Sequence, residues 1–219
     1  MKLRSERRIL ADVLTTLVIR EWRYRLSRGR LSMAWLIIEP LVQMAFIGWL
    51  YSAFGRQSIA GQDAALYLGA GIFAFLTFRT LCIKPNDAIL TGAGLLSYRQ
   101  VHVLDLILAK WITEAMTYLF LIGVALVYMA VYEPSFRLQW LPFLFCIGVI
   151  LCSSLGIACI LATLRRRNPA AAAFFKPFSY VLYIFSGVLH PVWQLQEWFA
   201  NILMYNPLVP LLEQVRKSL

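Results

Sequence analysis

The side chains that could carry out chemistry are few and widely spaced in this 219-residue sequence. Only two histidines, His102 and His190, are present, and none of the four cysteines belongs to a CxxC pair. Metal centres need such ligands grouped at short spacings, so we expect no metal site. Glu39 and Glu114 lie in or beside apolar runs, but no spacing supplies a nucleophile with its base. We therefore predict no catalytic residues, and an integral-membrane enzyme is a rival interpretation without a matching constellation.

Nucleotide chemistry of its own is not expected of the chain either. Gly92 and Gly94 are the closest approach to a glycine-rich loop, but no GxxxxGK[ST] motif occurs anywhere in the sequence. That motif cradles phosphates at the start of a helix that follows a strand. We therefore predict that the chain is not an ATPase, and that it has no cofactor of its own.

The elements that must position these residues are membrane spans. Sixty per cent of the residues are hydrophobic and the mean hydropathy is +0.68, well above the roughly 45–50% apolar share of soluble domains. The net charge is +10, and nine of the 21 Lys and Arg lie in residues 1–30, directly before the first apolar stretch. This placement favours the membrane surface over nucleic acid as the partner of the basic residues.

The apolar pattern predicts an all-α integral membrane protein with five transmembrane helices. An amphipathic helix over residues 9–28 should lie along the membrane surface, with Leu10, Val13 and Leu17 on one apolar stripe. The apolar stretch in the C-terminal segment 193–219 is short and interrupted by proline and polar residues, which predicts that this segment is re-entrant or interfacial. The predicted spans are 32–54, 64–83, 111–132, 140–164 and 171–189.

The distribution of Lys and Arg predicts a cytoplasmic N-terminus. In this topology 16 of the 21 cationic residues lie on the cytoplasmic side and four on the outer side, while Arg79 lies within the second span. Glu39 lies at a similar depth in the first span, and matched depth with opposite sign predicts that the two form an ion pair. The stretch 84–110 is then a cytoplasmic loop whose mixture of apolar, aromatic and charged residues suits docking onto a soluble partner.

Four motifs in this order resemble a known family, the ABC-2 type permeases that export capsular polysaccharide and O-antigen from Gram-negative bacteria. The resemblance covers nearly the whole chain, from a basic helix that enters the first span through Leu31–Pro40 to a C-terminal segment containing Glu213 and Arg216. The motifs between are Leu95-Leu96-Ser97-Tyr98-Arg99-Gln100-Val101, Phe185-Ser186-Gly187-Val188-Leu189-His190-Pro191 and Tyr205-Asn206-Pro207-Leu208-Val209.

The resemblance implies a homodimeric inner-membrane channel powered by two separate subunits that bind ATP and Mg²⁺. A coupling helix to that ATPase would fall at about Leu96–Asp105, with Leu96, Ser97, Tyr98, Arg99 and Asp105 as its contact residues. The segment after the fifth span would gate the exit through Gly187, Pro191, Trp193, Asn206 and Pro207. A polysaccharide co-polymerase and an outer-membrane export protein are further implied partners, besides membrane lipids; nucleic acid is not one.

A glycan path needs polar groups for hydroxyls and aromatic faces for sugar rings. Trp35, Glu39, Tyr51, Phe73 and Phe78 are the predicted substrate-pathway residues, although aromatics at span ends usually form the interfacial belt. Two further alternatives are an ABC-2 permease for a drug or lipid, and a membrane subunit that does not transport.

The domain organisation that we expect is one ABC-2 type transmembrane domain over residues 1–219. It comprises a cytoplasmic interfacial helix (1–31), five spans (32–192) and an outward-side re-entrant segment (193–219). Family members continue with a sixth span, so the sequence as given is expected to be truncated.

Overall fold

The computed structural model describes residues 6–27, 58–59, 62–132, 137–188 and 196–219, together with helical residues 34, 35, 38, 42, 45, 46, 49 and 53. Two strands of two residues, β1 (Ser58–Ile59) and β2 (Gln62–Asp63), pair antiparallel with Ser58 opposite Asp63. The rest of this part is helical apart from short connections. The helices are α1 (Glu6–Ser27), α2 (Ala64–Ile83), α3 (Ala88–Thr91), α4 (Val103–Tyr132), α5 (Trp140–Arg167), α6 (Pro169–Ile184), α7 (Glu197–Met204) and α8 (Leu208–Lys217).

Helix α2 is the centre of the bundle. Apart from Arg79, its residues are apolar or small on every side, the pattern of a helix buried all round, and it contacts α4, α5, α6 and α8. Leu68, Ile72 and Phe75 of α2 are almost completely buried against residues such as Ile150 of α5 and Leu212 of α8. The predicted second span, 64–83, coincides with this helix.

Within the described residues, three helical stretches are long and apolar enough to cross a membrane: Tyr67–Thr91, Val103–Val131 and Trp140–Arg167. About a third of the side chains of α4 and α5 are exposed, and many of these are large and apolar, for example Phe120, Val127 and Phe145. Such faces are stable in lipid or against another apolar surface. The chain is therefore an all-α membrane protein, as the composition predicts.

Helix α4 begins eight residues before the predicted third span. Its 30 residues make a helix about 45 Å long, whereas a bilayer core is about 30 Å thick. About ten residues of α4 therefore extend beyond the core. The predicted span 111–132 would place them at its N-terminal end.

Helix α6 is shorter than the predicted fifth span, because it ends at Ile184 rather than near Leu189. Asn168 starts it: the side-chain Oδ1 accepts a hydrogen bond from the Ala171 N–H, and Pro169 follows at the first helical position. Beyond its end Gly187 has φ 65°, in the left-handed region where glycine carries no steric penalty. The chain turns there.

Candidate functional site

Two groups of residues connect the helices through polar contacts at opposite ends of α2. We call the first the α1 charge cluster (Glu21, Arg25, Lys84, Lys110 and Glu114) and the second the Arg216 clasp (Tyr67, Gly71, Gly187, Val188 and Arg216). Tyr67 and Lys84 are 17 positions apart on α2 and its continuation, which corresponds to about 25 Å along a helix axis.

The α1 charge cluster fastens α1 along the N-terminal half of α4. Leu17 packs against Leu106 and Ala109, and one turn later Glu21 accepts a hydrogen bond from Lys110 Nζ. Residues four apart lie on the same face of a helix, so the contacts show α1 running parallel to α4. The sequence predicted that this helix lies on the membrane surface, and that position stays a prediction. Two polar residues beyond Val18, Glu21 and Arg25, pair with α4.

Glu114 is the centre of this cluster. Its side chain is only 2% exposed and forms ion pairs with Arg25 of α1 and with Lys84, which follows α2, the latter at Nζ–Oε2 3.3 Å. Arg25 Nη1 also donates to Thr117 Oγ1 at 3.0 Å. A buried carboxylate is tolerable only when it is paired and hydrogen-bonded. Glu114 thus joins three separate parts of the chain.

The predicted ATPase-coupling residues lie next to this cluster, although not on a coupling helix over 96–105. The structure forms a 3₁₀ helix over Ala93–Ser97, then a turn, before α4 begins at Val103. Leu96 packs half-buried near Leu17, whereas Ser97, Tyr98 and Arg99 are exposed, Tyr98 at 64%.

Asp105 differs from the other predicted coupling residues because it is buried, at 5% exposure. Its Oδ2 accepts a hydrogen bond from the His102 N–H at 2.8 Å, which satisfies one of the free N–H groups at the start of α4. Asp105 therefore holds the turn in place and is not on the exposed surface.

A groove of about 410 Å³ runs between α1 and this segment. Thr16 and Asp12 of α1 line one side, Leu95 and Val101 the other, and Gln100 lies at its edge. Its walls combine apolar and polar groups, as docking surfaces for proteins do.

The Arg216 clasp closes the other end of α2. Arg216 is 2% exposed, with Nη1 donating to Gly187 O at 3.0 Å and Nη2 to Val188 O at 2.6 Å. Its guanidinium carbon lies 4.3 Å from the centre of the Tyr67 ring. A Cβ on Gly71 would overlap the guanidinium, so a larger residue there would displace the Arg216 side chain.

Asn206 makes a second tie at the same end. Its Nδ2 donates to Ser186 Oγ at 3.0 Å and to Phe185 O at 3.4 Å, while Oδ1 accepts from the Leu208 N–H at the start of α8. Gly187 and Asn206 were predicted as exit-gate residues, and the structure places both within this assembly. Pro207 follows at the start of α8 and is exposed. Pro191 and Trp193 lie outside the described residues.

The predicted substrate-pathway residues have different environments. Phe78 is buried in the core, and Phe73 lines an apolar cleft of about 70 Å³ between α2, α4, α5 and α8. Trp35 is 62% exposed on its helix. Glu39 and Tyr51 lie outside the described residues, so the predicted Glu39–Arg79 pair remains a prediction.

Arg79 itself contacts α6. Its Nε donates to Ser179 Oγ at 2.8 Å, and its guanidinium carbon lies 4.0 Å from the centre of the Tyr180 ring. Phe75, one turn earlier on α2, meets Tyr183 edge-on with ring centroids 5.1 Å apart. These contacts show that α2 and α6 run antiparallel.

Sequence reasoning missed the pairing of Glu21 with Lys110 and of Arg25 with Glu114. The signal was present, because Glu21 and Arg25 are spaced four apart, as are Lys110 and Glu114, with complementary signs. For Arg216 no such signal exists, since its partners include backbone carbonyls. Among the described residues, no three histidine, cysteine or acidic side chains group as a metal site would require.

Comparison with known proteins gives consistent similarities. A family model described as ABC-2 type transporter matches residues 12–219. The polysialic acid transport protein KpsM of Escherichia coli is 23% identical over 205 residues, which are 92% of this chain and 79% of KpsM. The capsule polysaccharide export inner-membrane protein CtrC of Neisseria meningitidis serogroup A is 22% identical over 204 residues, 90% of this chain and 75% of CtrC.

Proposed function

Because the chain belongs to the ABC-2 type transporter family, we propose that it is the membrane subunit of an exporter of capsular or related cell-surface polysaccharide across the bacterial inner membrane. The names of the relatives KpsM and CtrC support this cargo and this membrane. A separate subunit would bind and hydrolyse ATP with Mg²⁺, and the energy would reach this chain through contact. Capsule export machinery beyond the ATPase would complete the pathway.

The observation that carries the proposal is the exposed turn at Tyr98 and Arg99, set on a rigid base. Leu96 and Val101 anchor the turn in the apolar cluster around Leu17, and Asp105 fixes its end. An exposed aromatic ring beside a guanidinium is typical of residues that dominate protein interfaces. The adjoining groove beside α1 gives an ATPase further surface to contact.

The ion pairs of the α1 charge cluster explain how force applied to this turn would reach the spans. Movement of the turn pulls on the start of α4, and Glu114 connects α4 to α1 and to the end of α2. Since α2 is packed against four other helices, displacement at this end spreads through the bundle. In this proposal the α1 end faces the cytoplasm.

A second copy of the chain would complete the channel. The described residues of the first predicted span include Trp35, Val42, Phe46 and Trp49, all strongly exposed. Their spacing of three to seven places them on one helix face. An apolar face of this kind suits pairing with a second copy, and native mass spectrometry in detergent would measure the dimer.

Co-purification with the ATPase subunit of the same export system tests the function. The variant Tyr98→Ala/Arg99→Glu should recover at least about tenfold less ATPase, because loss of two central interface residues commonly costs over 2 kcal/mol. Arg137→Glu, an equal charge change at an exposed position far along the chain, should recover the wild-type amount. Wild-type recovery in the double variant would reject the coupling assignment.

The cargo is tested separately in cells. Deletion of the gene should abolish surface polysaccharide while its lipid-linked precursor accumulates inside. A deletion strain with normal surface polysaccharide would overturn the proposed cargo and favour a drug or lipid as the exported molecule.

A further inference from the structure

Arg79 differs from the cations of the α1 charge cluster. In the part of the chain that the structure describes, Arg25, Lys84 and Lys110 each face a carboxylate. The described partners of Arg79 are a hydroxyl, Ser179 Oγ, and the face of the Tyr180 ring. Both contacts orient the guanidinium, and neither neutralises its charge.

The geometry leaves one edge of the guanidinium available. Nε is engaged by Ser179, and no residue among those described accepts a hydrogen bond from Nη1 or Nη2 of Arg79. Two Nη groups in one plane form a fork that matches two oxygens of a phosphate or carboxylate. Because the Tyr180 ring supports the plane, little freedom remains to be lost when an anion binds.

The location of Arg79 favours an anion as a further partner. Arg79 lies four residues before the end of α2, inside a stretch that is long and apolar enough to cross a membrane. A cation in such a position is expensive unless it meets an anion or water. Its side chain is half-buried, so it reaches the surface of the bundle between α2 and α6.

A second cation lies close by. Lys176 is exposed on α6, four residues before Tyr180, and residues four apart share a helix face about 6 Å apart along the axis. Two positive side chains beside an aromatic ring can hold one oxyanion together.

We propose that Arg79, backed by Ser179 and Tyr180 and assisted by Lys176, binds a phosphate group at the membrane surface. Under the proposed function, on which this assignment of the ligand rests, the phosphate belongs to the lipid-linked end of the exported glycan. The same chemistry is present in phospholipid headgroups, so the experiment must separate these two sources.

The test measures binding of two probes to the purified full-length chain in a neutral detergent. Lysophosphatidic acid carries the phosphate on a lipid, and glucose 1-phosphate carries it on a soluble sugar. Binding is followed by microscale thermophoresis, with lysophosphatidylcholine as the lipid control without a free phosphate monoester. Wild-type protein should bind lysophosphatidic acid at least about tenfold more tightly than the control lipid.

Variants of the chain identify the site. Arg79→Gln should weaken lysophosphatidic acid binding about tenfold. Arg79→Lys should weaken it less, because lysine keeps the positive charge although it lacks the two planar Nη donors. Tyr180→Phe should bind as wild type since the ring remains, whereas Tyr180→Leu should bind more weakly. Arg137→Gln removes an equal charge elsewhere and should have no effect. If glucose 1-phosphate also binds, and its binding is weakened by Arg79→Gln, the site is assigned to the sugar-bearing cargo. If glucose 1-phosphate does not bind, the site is assigned to lipid phosphates.

Wild-type affinity of Arg79→Gln for both probes would overturn the site. Tighter binding in Glu39→Gln than in the wild type would also overturn it, because Glu39 would then be the partner of Arg79, as the sequence predicts, and would occupy the fork. Co-purification of the ATPase with Arg79→Gln serves as the folding control. The same measurement separates the phosphate site from the proposed export function. If Arg79→Gln recovers the normal amount of ATPase and binds both probes as the wild type does, only the phosphate site is rejected.

Discussion

The two ends of α2 are held by different kinds of interaction. At the α1 end, charged side chains meet charged side chains, with Glu114 shared between Arg25 and Lys84. At the other end, the side chains of Arg216 and Asn206 meet the backbone carbonyls that follow α6. The last carbonyls of a helix lack partners within the helix, and lipid supplies none. Side-chain donors must therefore satisfy them.

The difference shows what each end can tolerate. An ion pair depends on two side chains of opposite sign, so both signs can be exchanged together. A side chain bound to carbonyls depends on the course of the backbone, here set by Gly187 at φ 65°, and on a donor that reaches two oxygens at once. We expect charge exchange to preserve the α1 end, and only arginine to preserve the Arg216 clasp.

The largest effect is expected for Glu114→Gln. The substitution leaves Arg25 and Lys84 without their carboxylate, and breaking a buried ion pair from one side costs about 3–5 kcal/mol. The apparent melting temperature in detergent should fall by on the order of 10 °C, measured by tryptophan fluorescence. The matched pair Glu21→Lys/Lys110→Glu, which exchanges the signs, should recover most of the stability that either single change removes. If the double variant is less stable than both single variants, charge exchange does not preserve the α1 end, and the two ends of α2 do not differ in the way described.

A smaller effect is expected for Arg216→Lys. Lysine keeps the charge but cannot donate to Gly187 O and Val188 O from one plane, so about 2–3 kcal/mol should be lost. Hydrogen exchange should accelerate in α8, with α1 protected as in the wild type, because the two ends lie about 25 Å apart. Equal acceleration in α1 would show that the two ends unfold as one unit.

The smallest effect is expected for Arg165→Gln. Arg165 Nη1 lies 2.8 Å from Asp87 Oδ1, but the Asp87 side chain is 61% exposed, and exposed ion pairs contribute about 0–1 kcal/mol. The melting temperature should stay within about 3 °C of the wild type. A loss as large as that of Glu114→Gln would mean that burial does not determine the strength of these pairs.

The all-α membrane character of the fold was predictable from the sequence, because long apolar runs specify membrane-spanning helices directly. Helix α2 and the first residue of α5 lie where the pattern placed them. The sequence did not predict that α4 extends back to Val103, because Asp105 and Lys110 are polar residues typical of a loop. In the structure Asp105 caps the start of the helix, and Lys110 is the partner of Glu21.

The candidate site was predictable only in part. Gly187 and Asn206 carry local turn chemistry that a sequence reveals. The contacts of Arg216 depend on where Tyr67 and Gly71 of a distant helix come to lie, and nothing local encodes that position. Arg79 was paired with Glu39 by depth alone, whereas its neighbours on α6 follow from antiparallel packing that only the structure supplies.

The most direct test of the account is which side of the membrane each end of α2 faces. Single cysteines at Ser97, Asn168 and Arg137, in a variant without the four native cysteines, can be labelled with a membrane-impermeant thiol reagent. In intact cells whose outer membrane is made permeable, we predict labelling at position 137 only, with positions 97 and 168 labelled after the inner membrane is opened. Labelling of position 97 or 168 before that step would place the α1 end outside, away from ATP, and would contradict the proposed function.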